Sequence, residues 1–402
     1  MIIYSDVLPS VQPGYLHNLI PNEAPENPEN WNNVLDDFNK FIMPGLTHWQ
    51  SPYFHAYFPT TTSYPSMVAE FIAAGISVLN FSWVCSPAAT ELEAIVCDWI
   101  AKFIQLPEKF LNLPVGNGGG SLHNSASDAI LTCVIAAREK NFKELQKKFP
   151  KISKHEILSK FIGYASDQSN SSIEKAGLLS AIPIRLLQAN ENFEIDGEIL
   201  RKAVIEDLNA DKIPIIFIAS YGTTGLCSFD NIDELASVCK EYNIWLHIDA
   251  AYAAIGNALP ELDFPYKNGF NYAHSINFNL PKSMLINYDC CALWLENVFD
   301  ISKHFNVDRI YLKHYHENES TIAPDYRNWQ LALGKRFKAL KVWIVMRILG
   351  MEEIRNYVRK TFKLAEYFEQ FLLSDDRFEI IGKRRAGLVC FRIKNNNNLT
   401  TK

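Results

Sequence analysis

Ile244-Trp245-Leu246-His247-Ile248-Asp249 and Ser275-Ile276-Asn277-Phe278-Asn279-Leu280-Pro281-Lys282 are two short apolar runs, each closed by a side chain with chemistry of its own. Runs of this length read as strands. Similar runs stand on either side, at 161–164, 182–187, 213–219 and 292–295, and a helical pattern at 232–242 fills one of the gaps. Strands alternating with helices predict an α/β domain built on a largely parallel sheet.

Further out, Ser86-Pro87 opens an amphipathic helix, with Ser as cap and Pro in the first helical position. Leu92, Ile95, Val96, Trp99, Ile100 and Phe103 keep helical spacing along it. A Gly-rich stretch at 115–127, Val115-Gly116-Asn117-Gly118-Gly119-Gly120-Ser121-Leu122-His123-Asn124-Ser125-Ala126-Ser127, leads straight into an apolar helix at 129–135. The first thirty residues carry Pro9, Pro13, Pro21, Pro25 and Pro28 and read as an extended arm. After about residue 345 the pattern changes. A long helix at 351–373 and strands at 378–381 and 387–393 look like the opening of a smaller domain, and the polar tail 395–402 is expected to be disordered.

A chain of 402 residues calls for two or more structural units. Its 48% hydrophobic and 21% charged residues are those of an ordinary soluble protein, and the net charge of -6 argues against nucleic acid or anionic membrane as partners. No apolar run reaches 18 residues, and the start lacks a signal-peptide layout. The eight cysteines have no regular spacing and read as reduced thiols of a cytoplasmic protein. The ten histidines form no HxxxH or HExxH pair, so no metal is indicated.

A carboxylate and an amine on neighbouring strand ends suit pyridoxal phosphate (PLP): the lysine joins the aldehyde, and Asp249 holds the pyridine nitrogen protonated. Polar strand ends are also ordinary loop chemistry. Ser125-Ala126-Ser127 at a helix start could cradle a phosphate, or merely cap the helix. Ser220-Tyr221-Gly222-Thr223-Thr224-Gly225 follows a strand, so Thr224 could converge with Asp249 and Lys282 beyond the carboxyl ends of the sheet, or form a simple turn.

These residues resemble a known family. His247-Ile248-Asp249-Ala250-Ala251-Tyr252-Ala253 and Asn277-Phe278-Asn279-x-x-Lys282 look like signatures of the group II PLP-dependent decarboxylases, and within them of the aromatic-L-amino-acid decarboxylases. The resemblance runs from about Val7 to Ile393, through Phe54-His55-Ala56-Tyr57-Phe58-Pro59, Ser86-Pro87-Ala88-x-Thr90-Glu91-Leu92-Glu93, Tyr311-Leu312-Lys313-His314 and Gly387-Leu388-Val389-Cys390-Phe391-Arg392.

It implies a fold-type I homodimer with active sites at the subunit interface. Residues 1–60 would be an N-terminal segment lacking the family's first helix, 61–345 the large PLP-binding domain, and 346–394 the start of a truncated small domain. Lys282 would hold the cofactor covalently, Asp249 its ring nitrogen, and Ala251 would pack on the ring. Ser125, Ala126, Ser127 and Asn279 would hold the phosphate, with Thr224 near cofactor and substrate. Tyr57, Phe58 and Pro59 would line the aromatic pocket, joined by Leu79 and Phe81 from the partner chain, and Tyr311 would sit on a loop that closes over substrate.

Asn170 stands where the decarboxylases carry a histidine that stacks on the cofactor. In this the chain resembles the insect branch of the α-methyldopa-hypersensitive protein and the 3,4-dihydroxyphenylacetaldehyde synthases. Loss of CO2 leaves a carbanion-like centre that needs a proton at Cα to release an amine. Imidazole can relay that proton near neutral pH and a carboxamide cannot, so electrons can pass to O2 instead. The expected reaction takes L-dopa to 3,4-dihydroxyphenylacetaldehyde, CO2, ammonia and hydrogen peroxide, in catecholamine metabolism and cuticle formation. The alternatives are a conventional decarboxylase making dopamine or a related amine, and an inert homologue acting by dimerisation. Two positions depart from the family pattern: Pro281 replaces a histidine, and Ser283 a bulky aromatic. Proline beside the lysine removes a backbone donor and fixes φ.

Overall fold

The computed structural model describes residues 6–112, 116–307, 309–313 and 324–394. Val115, His314 and the tail 395–402 lie outside the described residues. The chain divides into two compact units, Met1–Thr60 and Thr61–Lys402.

In the first unit, helix α1 (Trp31–Asp37) starts at Asn30, whose side chain accepts the Asn32 N–H at 2.9 Å, an ordinary N-cap. The chain then widens into a π-helical turn at Phe38–Ile42 and tightens into a 3-10 turn at Met43–Gly45. Gly45 is glycine for lack of room: a Cβ there would sit 1.9 Å from the Tyr15 hydroxyl, which itself donates to the Phe41 carbonyl at 3.1 Å.

The second unit is built on seven strands: β1 (Gly119–His123), β2 (Phe161–Ser166), β3 (Ile184–Leu187), β4 (Ile213–Ser220), β5 (Trp245–Asp249), β6 (Ser275–Asn279) and β7 (Cys291–Leu295). Their order is β1-β7-β6-β5-β4-β2-β3, with β7 antiparallel to both neighbours and every other pair parallel. This is the α/β architecture that the alternating pattern predicts. The helices are α2 (Tyr64–Ile76), α3 (Pro87–Phe103), α4 (Ala126–Lys148), α5 (Lys154–Lys160), α6 (Ser171–Ser180), α7 (Gly197–Asn209), α8 (Ile232–Glu241), α9 (Phe299–Phe305) and α10 (Lys338–Leu373). A two-stranded ladder, β8 (Phe378–Ile380) with β9 (Phe391–Ile393), follows α10. Strands β2 and β7 are buried at every position, which explains why they read as continuous apolar runs rather than alternating ones.

Three local readings need correction. The Gly-rich stretch, read only as the approach to a helix, is partly strand, since Gly119 and Gly120 open β1. A Cβ on Gly119 would lie 2.9 Å from the Trp329 ring, and one on Gly120 would lie 2.6 Å from the Trp294 indole nitrogen. These glycines answer to tryptophans far along the chain, not to a turn. The helix expected at 351–373 begins earlier, at Lys338, and is broken at Gly350, where φ of 73° departs from helical geometry. Helix α3 buries Glu93, Val96, Cys97 and Ile100, while Ile95 is exposed, so its inner face is rotated from the purely apolar stripe.

Glu93 is the reason for that rotation. Its wholly buried carboxylate accepts the Leu122 N–H of β1 at 2.7 Å and the Asn80 amide at 3.2 Å, and pairs with Lys335 at 2.7 Å. Lys335 also lies over the Tyr326 ring, 4.4 Å from its centroid. Removing one partner of a buried pair leaves the other charge uncompensated. Glu93→Ala is therefore expected to destabilise the protein by about 3–5 kcal/mol, seen as a lower denaturation midpoint. An unchanged midpoint would show that the pair does not anchor α3 to β1.

Candidate active site

The strand order brings the chemistry-bearing segments to one edge of the sheet. His123 and Asn279 both stand opposite Cys291, so the carboxyl ends of β1 and β6 are level. Asp249 pairs with Asn277 on one side and Ser220 on the other, which aligns β4, β5 and β6. Strand spacing of about 4.8 Å makes these ends near neighbours. Asp249 and Asn279 close their strands here, and the segments carrying Ser125, Thr224 and Lys282 leave from the same edge.

At the β1 end, Ser125 is extended and caps α4, its hydroxyl accepting the Asp128 N–H at 3.2 Å. That leaves the N–H groups of Ala126 and Ser127 among the first-turn donors of a 23-residue helix, the natural seat of an anion. At the β4 end, Gly222 takes φ of 96°, and a Cβ there would lie 2.5 Å from that of Ala253. The turn is tied down by Thr223, whose hydroxyl meets that of Ser228 at 2.8 Å, and Thr224 is exposed. Beyond β2, Asn170 caps α6: its oxygen accepts the Ser172 N–H at 3.0 Å, while its Nδ2 donates to the Thr224 hydroxyl at 2.9 Å. Both ends of this amide are engaged, and neither carries a titratable proton.

Asp249 closes β5, half-buried. Both described donors to it, the Ala251 N–H at 3.1 Å and the Asn277 amide at 3.0 Å, reach the same oxygen, Oδ1. The backbone N–H of Asn279 donates to the Ala251 carbonyl at 3.1 Å, joining the two loops. Lys282 lies in the short turn Leu280–Lys282 that follows β6. Burial pushes its amine below the usual lysine range, and the Asp249 carboxylate opposes that fall.

Pro281 is compatible with this geometry. It occupies the first turn of a 3-10 helix, where an N–H would have no helical partner. Its carbonyl accepts two bonds from Thr61, from the N–H at 2.6 Å and from the hydroxyl at 2.7 Å. Thr62 and Ser63 hold the next loop through Asn287 and the Leu285 carbonyl at 3.0 and 2.7 Å. This clamp was missed from sequence, although a hydroxyl run Thr60-Thr61-Thr62-Ser63 is a visible signal.

The residues fit PLP. Asn279 Oδ1 and Ser283 Oγ, on either side of the lysine, are buried polar atoms with no hydrogen-bond partner among the described residues. The first-turn donors of α4, a buried amine pushed below the usual lysine range and a carboxylate bonded through one oxygen stand on one edge. A ring N–H would meet Oδ2 of Asp249, and a phosphate the start of α4.

Tyr57, Phe58 and Pro59 belong to the N-terminal unit, where Tyr57 has φ of 59° and stacks on Trp49 at 5.5 Å. Leu79 is 59% exposed, and Phe81 is half-buried with its carbonyl accepting the Arg327 N–H at 2.8 Å. Tyr311 lies on the turn Ile310–Leu312 with 77% of its surface exposed.

The pyridoxal-dependent decarboxylase conserved domain matches residues 13–394, and the chain belongs to that family. It is 53% identical to 3,4-dihydroxyphenylacetaldehyde synthase of Drosophila melanogaster over 396 residues, 98% of this chain and 77% of the relative. It is 44% identical to aromatic-L-amino-acid decarboxylase of Rattus norvegicus, covering 98% of this chain and 82% of the relative. The crystal structure of Oryza sativa TDC with PLP and tryptamine superposes with a TM-score of 0.91 at 31% identity, covering 96% of this chain and 79% of the other. The fold is fold-type I and the cofactor is PLP.

The lowered amine gives a direct test. In PLP-free protein, Lys282 should be labelled by an amine-reactive reagent at lower pH than exposed lysines. Asp249→Asn removes the charge that holds the amine up, so the labelling midpoint of Lys282 should fall further. Mass spectrometry of the Lys282 peptide across pH measures both. A midpoint that matches exposed lysines, or that rises in Asp249→Asn, would contradict the assignment.

Proposed function

We propose that this enzyme converts L-dopa, with O2 and water, to 3,4-dihydroxyphenylacetaldehyde, CO2, ammonia and hydrogen peroxide. Bound PLP supplies the electron sink for the pair released as CO2 leaves. The chain's own residues do the rest. The start of α4, with Ser125, Ala126, Ser127 and Asn279, fixes the phosphate end. Asp249 keeps the ring nitrogen protonated, Ala251 packs on the ring, and Lys282 holds the cofactor. Tyr57, Phe58 and Pro59, with Leu79 and Phe81 of a second subunit, receive the aromatic side chain, and Tyr311 closes over it.

Asn170 carries the choice of product. Its amide is pinned between the α6 cap and Thr224, so no imidazole stands there to deliver a proton to Cα. Without that delivery, the electrons are open to O2. The Drosophila relative's name supports the same outcome. An amine-forming decarboxylase is the second reading, favoured by the similarity to the rat enzyme.

A homodimer is part of this proposal. Tyr64, Met67, Phe71 and Ile76 of α2 are exposed large apolar side chains, with Tyr64 and Phe71 more than four-fifths accessible, a surface suited to a second copy. Among the described residues no helix is long and apolar enough to cross a membrane, and all eight cysteines are unpaired. Reduced thiols support a cytoplasmic setting, and we place the enzyme in catecholamine metabolism, serving cuticle formation.

The test is oxygen uptake by the PLP-loaded protein on mixing with L-dopa, with aldehyde and amine assayed together. Oxygen consumption with aldehyde is expected, and Asn170→His should raise the amine-to-aldehyde ratio by about tenfold or more. Dopamine without oxygen uptake from the unmodified protein would establish the second reading instead.

A further inference from the structure

Beneath the cofactor edge, β5 and β6 bury a line of polar side chains, His247, Ser275 and Asn277, that leads up to Asp249. Trp245, His247 and Asp249 alternate along one face of β5, as Ser275 and Asn277 do along β6. The register sets His247 opposite Ser275 and Asp249 opposite Asn277. Trp245 Nε1 donates to Ser275 Oγ at 2.8 Å. Ser275 Oγ lies 2.8 Å from His247 Nδ1, and His247 Nε2 lies 2.8 Å from Asn277 Oδ1. Asn277 Nδ2 then donates to Asp249 Oδ1 at 3.0 Å.

Only one proton arrangement satisfies the whole line. An indole nitrogen only donates, so Ser275 accepts from Trp245. A carboxamide nitrogen only donates, so Asn277 offers its oxygen to His247, and Nε2 must carry the hydrogen. Wholly buried His247 is held neutral by its burial, against the pull of Asp249, so Nδ1 is an acceptor and takes the Ser275 hydroxyl hydrogen. Cys133 of α4 also reaches Ser275, and burial keeps that thiol protonated.

We propose that His247 is a positioning residue for the cofactor: through Asn277 it fixes the rotation of the Asp249 carboxylate, so that Oδ1 is spent on the protein and Oδ2 faces the ring nitrogen. This rests on the PLP reading and extends it below the first layer of contacts. A ligand oriented by a hydrogen-bonded partner behind it loses its aim when that partner goes, typically at about 10–100-fold in affinity at metal sites. A cofactor nitrogen should respond in the same sense.

The test uses His247→Phe, which fills the space without the bonds, and His247→Gln, whose amide can still donate to Asn277. Ser275→Ala is a smaller change that frees the imidazole to turn over its tautomer. For each, the Kd for PLP, the visible absorption band of the bound cofactor and the thermal midpoint of the PLP-free protein are measured. His247→Phe is expected to weaken PLP by about tenfold and to shift the band, with Ser275→Ala shifting it the same way by less. His247→Gln should restore both towards the unmodified protein. The relay is overturned if His247→Phe and Ser275→Ala leave the band and the Kd unchanged. It is overturned equally if His247→Gln fails as badly as His247→Phe and all three changes merely track the midpoint of the PLP-free protein. An unmodified protein that takes up no PLP would sink the cofactor reading and this inference together, which separates the two failures.

Discussion

The pairing of β5 with β6, Asp249 opposite Asn277, is the constraint on which the site depends. A slip of one residue would turn every side chain to the other face of the sheet. Asp249 would lose the Asn277 amide, His247 would lose Ser275, and Lys282 would be carried to a different height above the edge. The register is held by burial on both faces and by the antiparallel return of β7, which sets Cys291 opposite Asn279 and His123 at once. One strand thus levels the end of β1, which leads into α4, with the end of β6, which leads to Lys282.

In the proposed reading, product choice is a local matter set on that frame. Asn170 serves as the cap of α6 and as a donor to Thr224, two jobs that any small polar residue at a helix start could share. A histidine at the same place could supply a proton, and a carboxamide held by both ends cannot. On that reading the chemistry changes without a change of fold. Pro281 fits by a similar economy, because it stands in a 3-10 turn that leaves a backbone N–H unneeded, and Thr61 holds its carbonyl.

Much of this was legible from sequence, for physical reasons. Buried strands write themselves as apolar runs, so β2, β4, β5, β6 and β7 showed, as did the polar residues at their ends. Asp249 and Lys282 could be read as a carboxylate and an amine at neighbouring strand ends because a parallel sheet aligns such ends. β1 was hidden because Gly119 and Gly120 answer to Trp329 and Trp294, contacts that no local pattern carries. The start of α10 was hidden by its break at Gly350. His247 and Asn277 stood in plain view within the quoted runs, but their partnership exists only once the register is known. The roles given to Leu79 and Phe81 involve a second subunit, and a single chain's spacing does not encode that contact.

The central claim is that this sheet edge seats PLP on Lys282 despite the proline beside it. Borohydride reduction of the PLP-loaded protein, followed by peptide mapping, tests it most directly. The account predicts one pyridoxyl group per chain, on the peptide containing Lys282. A label on another lysine, or no fixed label in protein that has bound PLP, would contradict it.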